Sequence, residues 1–382
     1  MKDIQAPGRI YSLDALRSVM MMLGIVLHAG ITYGIGDYAA FWPIKDKDNS
    51  IFFDLAVAII HHFRMPVFFV TAGYFGALLF YKKGPRSMLV NRFKRILLPF
   101  LSGVMLLYPL AFFAFTYSSA AIKDLPLPLQ YAWQEVVAGE FLPFNVLHLW
   151  FLYFLVLYSF GGWFIAMVFK RDTAFTRGVR KVCSEILRKP WLRIISLAAL
   201  YSCCLWWIGA PYLVTNNSWA IEPPIFITYF LFFETGWIIF RTGSLQLLKD
   251  HPVIQLVAAT LLFFVLIFIP WPETNAWLYV RELLSALLCS LYIFGFIALF
   301  ITKFNASSKR FSYIMNASYW VYLVHLPVVA FIPGVLSGSG LPAFFKFAIC
   351  LLVTAAICFT SYHYAVRNTV IGKFLNGKKN SQ

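Results

Sequence analysis

The first apolar run of the chain contains three ionisable side chains, Asp14, Arg17 and His28. Arg17 and His28 are eleven residues apart. On an α-helix that spacing is about 16 Å along the axis and about 20° around it. One face therefore carries an acid and a guanidinium near one membrane surface and an imidazole deeper inside, toward the bilayer's middle. Ionisable groups at that depth are costly, face a protein interior or a water-filled cavity, and mark function. Imidazole titrates near neutrality and is suited to general-base work. We read this face as the wall of a reaction channel with His28 as its base.

Other spans add polar groups at helical spacing. The second opens His61-His62-Phe63-Arg64-Met65-Pro66 and continues Thr71-Ala72-Gly73-Tyr74. Arg64, expected near the outer surface, is either a snorkelling anchor or a group that binds an anion. His61 and His62 are adjacent and face different ways, which disfavours a metal site built on the two alone. The small residues around Gly73 permit close approach of a helix or a ligand. Arg92 and Arg95 are three apart and share a face. They are either topological charges or, with Arg17, a phosphate site for a nucleotide-containing donor. His148 and Trp150 open another span as interfacial rings or as lining. Tyr319, Tyr322 and His325 follow at i, i+3 steps, reading as a polar stripe or as buried groups bonded to a neighbouring helix. Glu234 and Glu282 are further carboxylates placed to orient a histidine or answer an arginine.

The elements that position these groups follow from composition. The 382 residues are 60% hydrophobic and 13% charged, with mean hydropathy +0.73. A soluble domain is about half apolar and a quarter charged, so this is a polytopic membrane protein. Long continuous apolar runs mean an all-α fold rather than a barrel. We read about ten spans, near 14–34, 56–81, 95–117, 147–169, 193–213, 224–241, 253–270, 279–302, 313–334 and 343–366. Together they form a single integral membrane domain over 1–382, with no appended soluble domain and a first span that is retained. With both termini inside, 26 of the 32 basic residues fall on the cytoplasmic side, which favours N-in, C-in. The net charge of +16 lies in short loops, pointing to topology and lipid contact rather than nucleic acid. The six cysteines show no metal or disulfide spacing.

Five strings in order resemble the acyltransferase-3 family of integral membrane acyltransferases. They are Arg17-x10-His28, Phe68-Phe69-x3-Gly73-Tyr74, Arg92-x2-Arg95, His148-Leu149-Trp150-Phe151-Leu152, and Ser318-Tyr319-x2-Tyr322-Leu323-x-His325. Ser12 to Arg17, Phe63-Arg64-Met65 and Asn316-Ala317-Ser318 are similar to the branch that succinylates periplasmic glucans. One departure is Thr71-Ala72, where the family usually places a serine before the glycine. The resemblance implies O-acyl transfer from cytoplasmic acyl-CoA, a co-substrate with no permanently bound cofactor or metal, to a glucan or other carbohydrate hydroxyl across a bacterial inner membrane. It implies His28 and Asp14 as the catalytic set, Asp14 acting by orienting Arg17. Acyl-CoA falls to Arg17, Arg92 and Arg95. Acyl group and acceptor fall to Arg64, Tyr74, His148, Trp150, Tyr319, Tyr322 and His325. O-acetylation of a surface polysaccharide or lipid-linked sugar, and proton-coupled transport, are the alternative readings.

Overall fold

The computed structural model describes residues 10–304 and 309–376, and these form helices joined by loops, with no strand among the described residues. Four charges counted above toward the cytoplasmic side, Lys2, Arg9, Lys378 and Lys379, lie outside them, as do the side chains of Lys309 and Arg310. Nine helices among the described residues are long and apolar enough to cross a membrane, and Pro252–Phe268 is a shorter apolar helix of 17 residues. This matches an all-α polytopic protein of about ten spans with no separate soluble domain.

Helix boundaries follow local chemistry. Helix α1 is Tyr11–Ile31, and α2 is Ile51–Lys83, capped by the Ser50 hydroxyl at Phe52 N. The cap starts α2 five residues before the apolar run and extends it to 33 residues, about 50 Å. Gly84, at φ +91, ends α2, and Pro85 starts the next helix, the usual Gly-then-Pro punctuation. Helix α3 (Pro85–Arg92) runs through a π-turn at Phe93–Leu97 into α4 (Leu98–Ile122). A short surface helix α5 (Pro128–Ala138) precedes α6 (Trp150–Val168). Helix α7 (Ala174–Arg188) is amphipathic, with exposed Phe175, Val179 and Val182 beside its arginines, as expected for a helix in the membrane interface. Helices α8 (Pro190–Ile208), α9 (Pro223–Thr242), α10 (Pro252–Phe268), α11 (Asn275–Lys303), α12 (Lys309–Leu336), α13 (Ala343–Ser361) and the short α14 (Val370–Asn376) complete the chain.

Helix α1 packs between α2 and α12, α2 crosses α9, and α12 lies along α4. The α2–α9 crossing depends on two glycines. A Cβ on Gly73 would lie 1.8 Å from Phe233 O, and one on Gly236 would lie 1.8 Å from Val70 O. Of the two readings of Thr71-Ala72-Gly73, the packing one is therefore observed, and the Thr71 hydroxyl is turned back onto Phe68 O at 2.8 Å. At the end of the bundle opposite Arg17, the loops knit together. Asp46 and Lys346 form a buried ion pair at 3.0 Å, Asp48 accepts from Ala343 N, and Trp219 donates to Phe144 O. Lys47 and Asp124 also pair there.

Candidate active site

A cavity of about 630 Å³ lies between α1, α2, the start of α6 and α12, and five of the chain's seven histidines line it: His28, His61, His62, His148 and His325. Arg64 lines it too, and Asp37, Thr215, Asn217 and tyrosine hydroxyls complete its polar lining. The lining extends to exposed Asp37 and Tyr212 in the loops after α1 and α8, so the cavity opens at the end opposite Arg17. Asp54 shapes that mouth by accepting from Ile35 N, Gly36 N and the Tyr38 hydroxyl. Burial and the Asp54 hydrogen bond raise the Tyr38 pKa well above the usual phenol value, keeping it a neutral donor.

Four of the five histidines are set by backbone carbonyls, which only accept. His325 Nδ1 donates to Tyr322 O at 2.8 Å, leaving buried Nε2 as a bare lone pair. His148 Nε2 donates to Leu323 O at 3.0 Å, leaving Nδ1 bare. The Tyr322 hydroxyl donates to His148 O at 2.8 Å and locks α12 to the turn before α6. His61 donates to Leu213 O and His62 to Ala58 O. The cavity therefore offers lone pairs that suit the hydroxyl groups of a polyol.

His28 lies in the last turn of α1, beyond the helix midpoint at Met21, closer to the cavity mouth than to the mid-plane expected above. Helix α1 starts at Tyr11 and ends at Ile31, three residues earlier at each end than the expected span 14–34, and this places His28 in its last turn. Its ring stacks on Trp42 at 5.4 Å and 15° and meets His325 at 5.3 Å, while Nδ1 has no hydrogen-bond partner.

Arg64 is not a surface anchor. It is mid-helix in α2 and turns inward against Gly24, whose missing side chain makes the space. A Cβ on Gly24 would lie 2.7 Å from Arg64 Nη1 and 3.6 Å from His325 Nε2. Arg64 Nε is buried without a partner, and the ion pairs among the described residues do not include Arg64. An unneutralised guanidinium inside a membrane bundle is costly, and an anionic ligand would offset that cost.

At the other end of α1, Arg92 lies within electrostatic reach of both Arg17 and Arg95. Asp14 pairs with Arg17 at 3.1 Å, and the Arg17 guanidinium also covers Phe75. Asp14 is fourteen residues from His28, about 21 Å along the helix, so it belongs with the guanidinium cluster and has no direct contact with the imidazole. Arg92 Nε and Nη2 are buried without partners, close to Gly76. Two members of the expected acceptor set lie elsewhere. The Tyr319 hydroxyl donates to Arg95 O at 2.8 Å, fastening α12 to the π-turn, and Tyr74 packs on Phe75 and Phe240. Neither lines the cavity, whereas His148, Trp150, Tyr322, His325 and Arg64 do. Glu234 Oε1 is buried without a partner against Gly162 on α6, away from the histidines lining the cavity. No group of three or more His, Cys, Asp or Glu among the described residues is placed to hold a metal ion.

Sequence spacing missed Trp42, Gly24, His61 and His62. Trp42 returns to α1 through a loop, so no periodicity marks it. The two histidines carried a signal, their place next to Arg64, that adjacency alone discounted.

Comparison with known proteins gives the family of the chain. Glucans biosynthesis protein C of Escherichia coli strain K12 and that of Shigella dysenteriae serotype 1 are each 25% identical to this chain, covering 97% of it and 95% of their own length. No solved structure matches. The acyltransferase domain family, acyltransferase-3, matches residues 10–363. The chain belongs to that family, as a multi-pass membrane acyltransferase.

Proposed function

We propose that the chain transfers an acyl group from cytoplasmic acyl-CoA to a hydroxyl of a periplasmic glucan, with His28 as general base and succinyl as the acyl group. The glucan assignment leans on what the relatives' name says of them. The succinyl assignment is carried by one observation, the unpaired Arg64 guanidinium facing the cavity beside His325. A succinyl group has a distal carboxylate to answer it, and an acetyl group has none.

In this reading the Arg17 end is cytoplasmic, the side that 26 of 32 basic residues favour, and the membrane is the bacterial inner membrane. The donor's phosphates rest on Arg17, Arg92 and Arg95. Its pantetheine arm passes Met20 and Met21, flexible side chains that form the cavity floor next to α1's midpoint. The glucan enters from the opposite mouth and hydrogen-bonds to the bare nitrogens of His148 and His325. His28 takes the proton of the attacking hydroxyl as the C–O bond forms. The C–S bond breaks as the tetrahedral adduct collapses, and the imidazolium returns the proton to the thiolate, so CoA leaves as the thiol.

Purified protein supplied with labelled succinyl-CoA or acetyl-CoA and a glucan panel tests this. Succinyl transfer that disappears in a folded His28→Ala variant is the expected result. Full activity in that variant removes His28 as base, and acetyl transfer alone removes the succinyl assignment. Solute movement without acyl transfer favours a transporter.

A further inference from the structure

Catalytic histidines are usually oriented by a carboxylate or carbonyl on the nitrogen that does not react. His28 has neither. Its Nδ1 is buried without a hydrogen-bond partner, and Asp14 sits far down the same helix next to Arg17. A histidine's χ2 torsion is broad, so a ring without such a bond has little of its own to hold its plane.

The loop after α1 supplies an alternative. It returns Trp42 over His28, indole and imidazole nearly parallel at 5.4 Å and 15°. The indole is itself immobilised. Its Nε1 donates to Thr32 Oγ1 at 2.9 Å, one turn beyond His28 on the same chain segment. Phe115 of α4 meets it edge-on at 4.8 Å and 90°, and Trp42 is 3% exposed. The loop is tied down through Asp46, whose N–H donates to Thr32 O at 2.9 Å and whose carboxylate pairs with buried Lys346. His325, fixed by its own backbone bonds, also meets the imidazole, at 5.3 Å and 39°.

We propose that Trp42 is a positioning residue for His28, its anchored indole face holding the imidazole plane in the place a carboxylate would otherwise take. The proposal rests on the reading of His28 as base. Offset stacking of flat rings provides the geometric restraint, and Thr32 and Phe115 convey it from α1 and α4. A base displaced by about 1 Å loses on the order of a hundredfold in rate, so the restraint acts on kcat rather than on donor binding at the far end of α1.

The test compares Trp42→Phe, Trp42→Leu and Thr32→Val with the wild type. Trp42→Leu removes the face and is expected to lower kcat about 10- to 100-fold while leaving KM for acyl-CoA within about twofold. Trp42→Phe keeps a face but loses the bond to Thr32, so its kcat is expected between those of Trp42→Leu and the wild type, close to that of Thr32→Val. Equal kcat for Phe and Leu, or wild-type kcat for Leu, overturns the proposal. Should Trp42→Leu fail to fold, Thr32→Val carries the test. It frees the indole without removing it, and a severalfold fall in kcat at unchanged KM is expected, whereas unchanged kcat overturns the proposal. A second readout needs no activity: carbethoxylation of His28 by diethyl pyrocarbonate, followed by peptide mass spectrometry. Faster modification than in the wild type is expected in all three variants, most of all in Trp42→Leu, which alone lacks an aromatic face. Equal rates throughout overturn the clamp even if no transfer reaction is found, and faster modification in an enzyme inactive with every donor tells against the function alone.

Discussion

Replacing Gly24 with alanine adds one methyl group where α1 faces both Arg64 and His325. The new Cβ would stand 2.7 Å from Arg64 Nη1 and 3.6 Å from His325 Nε2. Ordinary contact begins at 3.4 Å, so the histidine stays and the guanidinium must retreat by about 0.7 Å, the difference between 2.7 and 3.4. It is the far end of a flexible side chain, so the backbone need not move. Alanine in a helix interior is also favoured over glycine by about 1 kcal/mol, and the variant should melt no lower than the wild type. A shift approaching 1 Å in a positioning group costs up to about a hundredfold in rate. We expect kcat/KM with a succinyl donor to fall about 10- to 100-fold, or about 1.4–2.8 kcal/mol. With an acetyl donor, which has no distal carboxylate for Arg64, the loss should stay within about threefold. Steady-state kinetics with both donors, next to a thermal melt, reads all of this. Unchanged succinyl kinetics, or equal losses with both donors, would refute the assignment of Arg64 to the distal carboxylate.

Three further outcomes follow from the same geometry. Arg17→Ala should raise KM for acyl-CoA about 10- to 150-fold with little change in KM for the acceptor, since removing a charged hydrogen-bonding group costs about 1.5–3 kcal/mol; an unchanged donor KM moves the phosphate site elsewhere. Gly236→Ala should yield little monodisperse protein or a sharply lower Tm, because its Cβ would lie 1.8 Å from Val70 O, a backbone atom of α2 that cannot step aside; a normal melt would contradict the observed α2–α9 crossing. Asp46→Ala leaves Lys346 buried without its partner and should cost about 3–5 kcal/mol, measured as a fall in Tm that Asp46→Ala/Lys346→Met largely restores.

The polar face of α1 was legible because helix geometry alone relates Arg17 to His28, and so was Tyr322 beside His325, one i, i+3 step apart. The same rule failed over two steps. From Tyr319 to His325 the helix turns about 600°, leaving the two side chains about 120° apart, so Tyr319 faces the π-turn at Arg95 while His325 faces the cavity. Arg64 was legible in type but not in depth. The Ser50 cap extends α2 outward, and that extra length moves position 64 from the surface to mid-helix. Trp42 and Gly24 were not legible at all. One acts through a loop whose path is set by Asp46 and Lys346, and the other through the side chain it lacks. Both depend on contacts between segments far apart in sequence, which periodicity does not encode.

Acyl transfer across the membrane with His28 at the point of chemistry can be followed in sided proteoliposomes. Labelled succinyl-CoA is supplied on the face bearing Arg17, Arg92 and Arg95, glucan is enclosed on the other, and orientation is scored by protease access to the basic α7 segment. Label on the enclosed glucan with wild-type protein, free CoA retained on the donor side, and no labelled glucan with His28→Ala are the expected results. Labelled glucan formed by His28→Ala, or formed only when donor and glucan share one side, would contradict this reading.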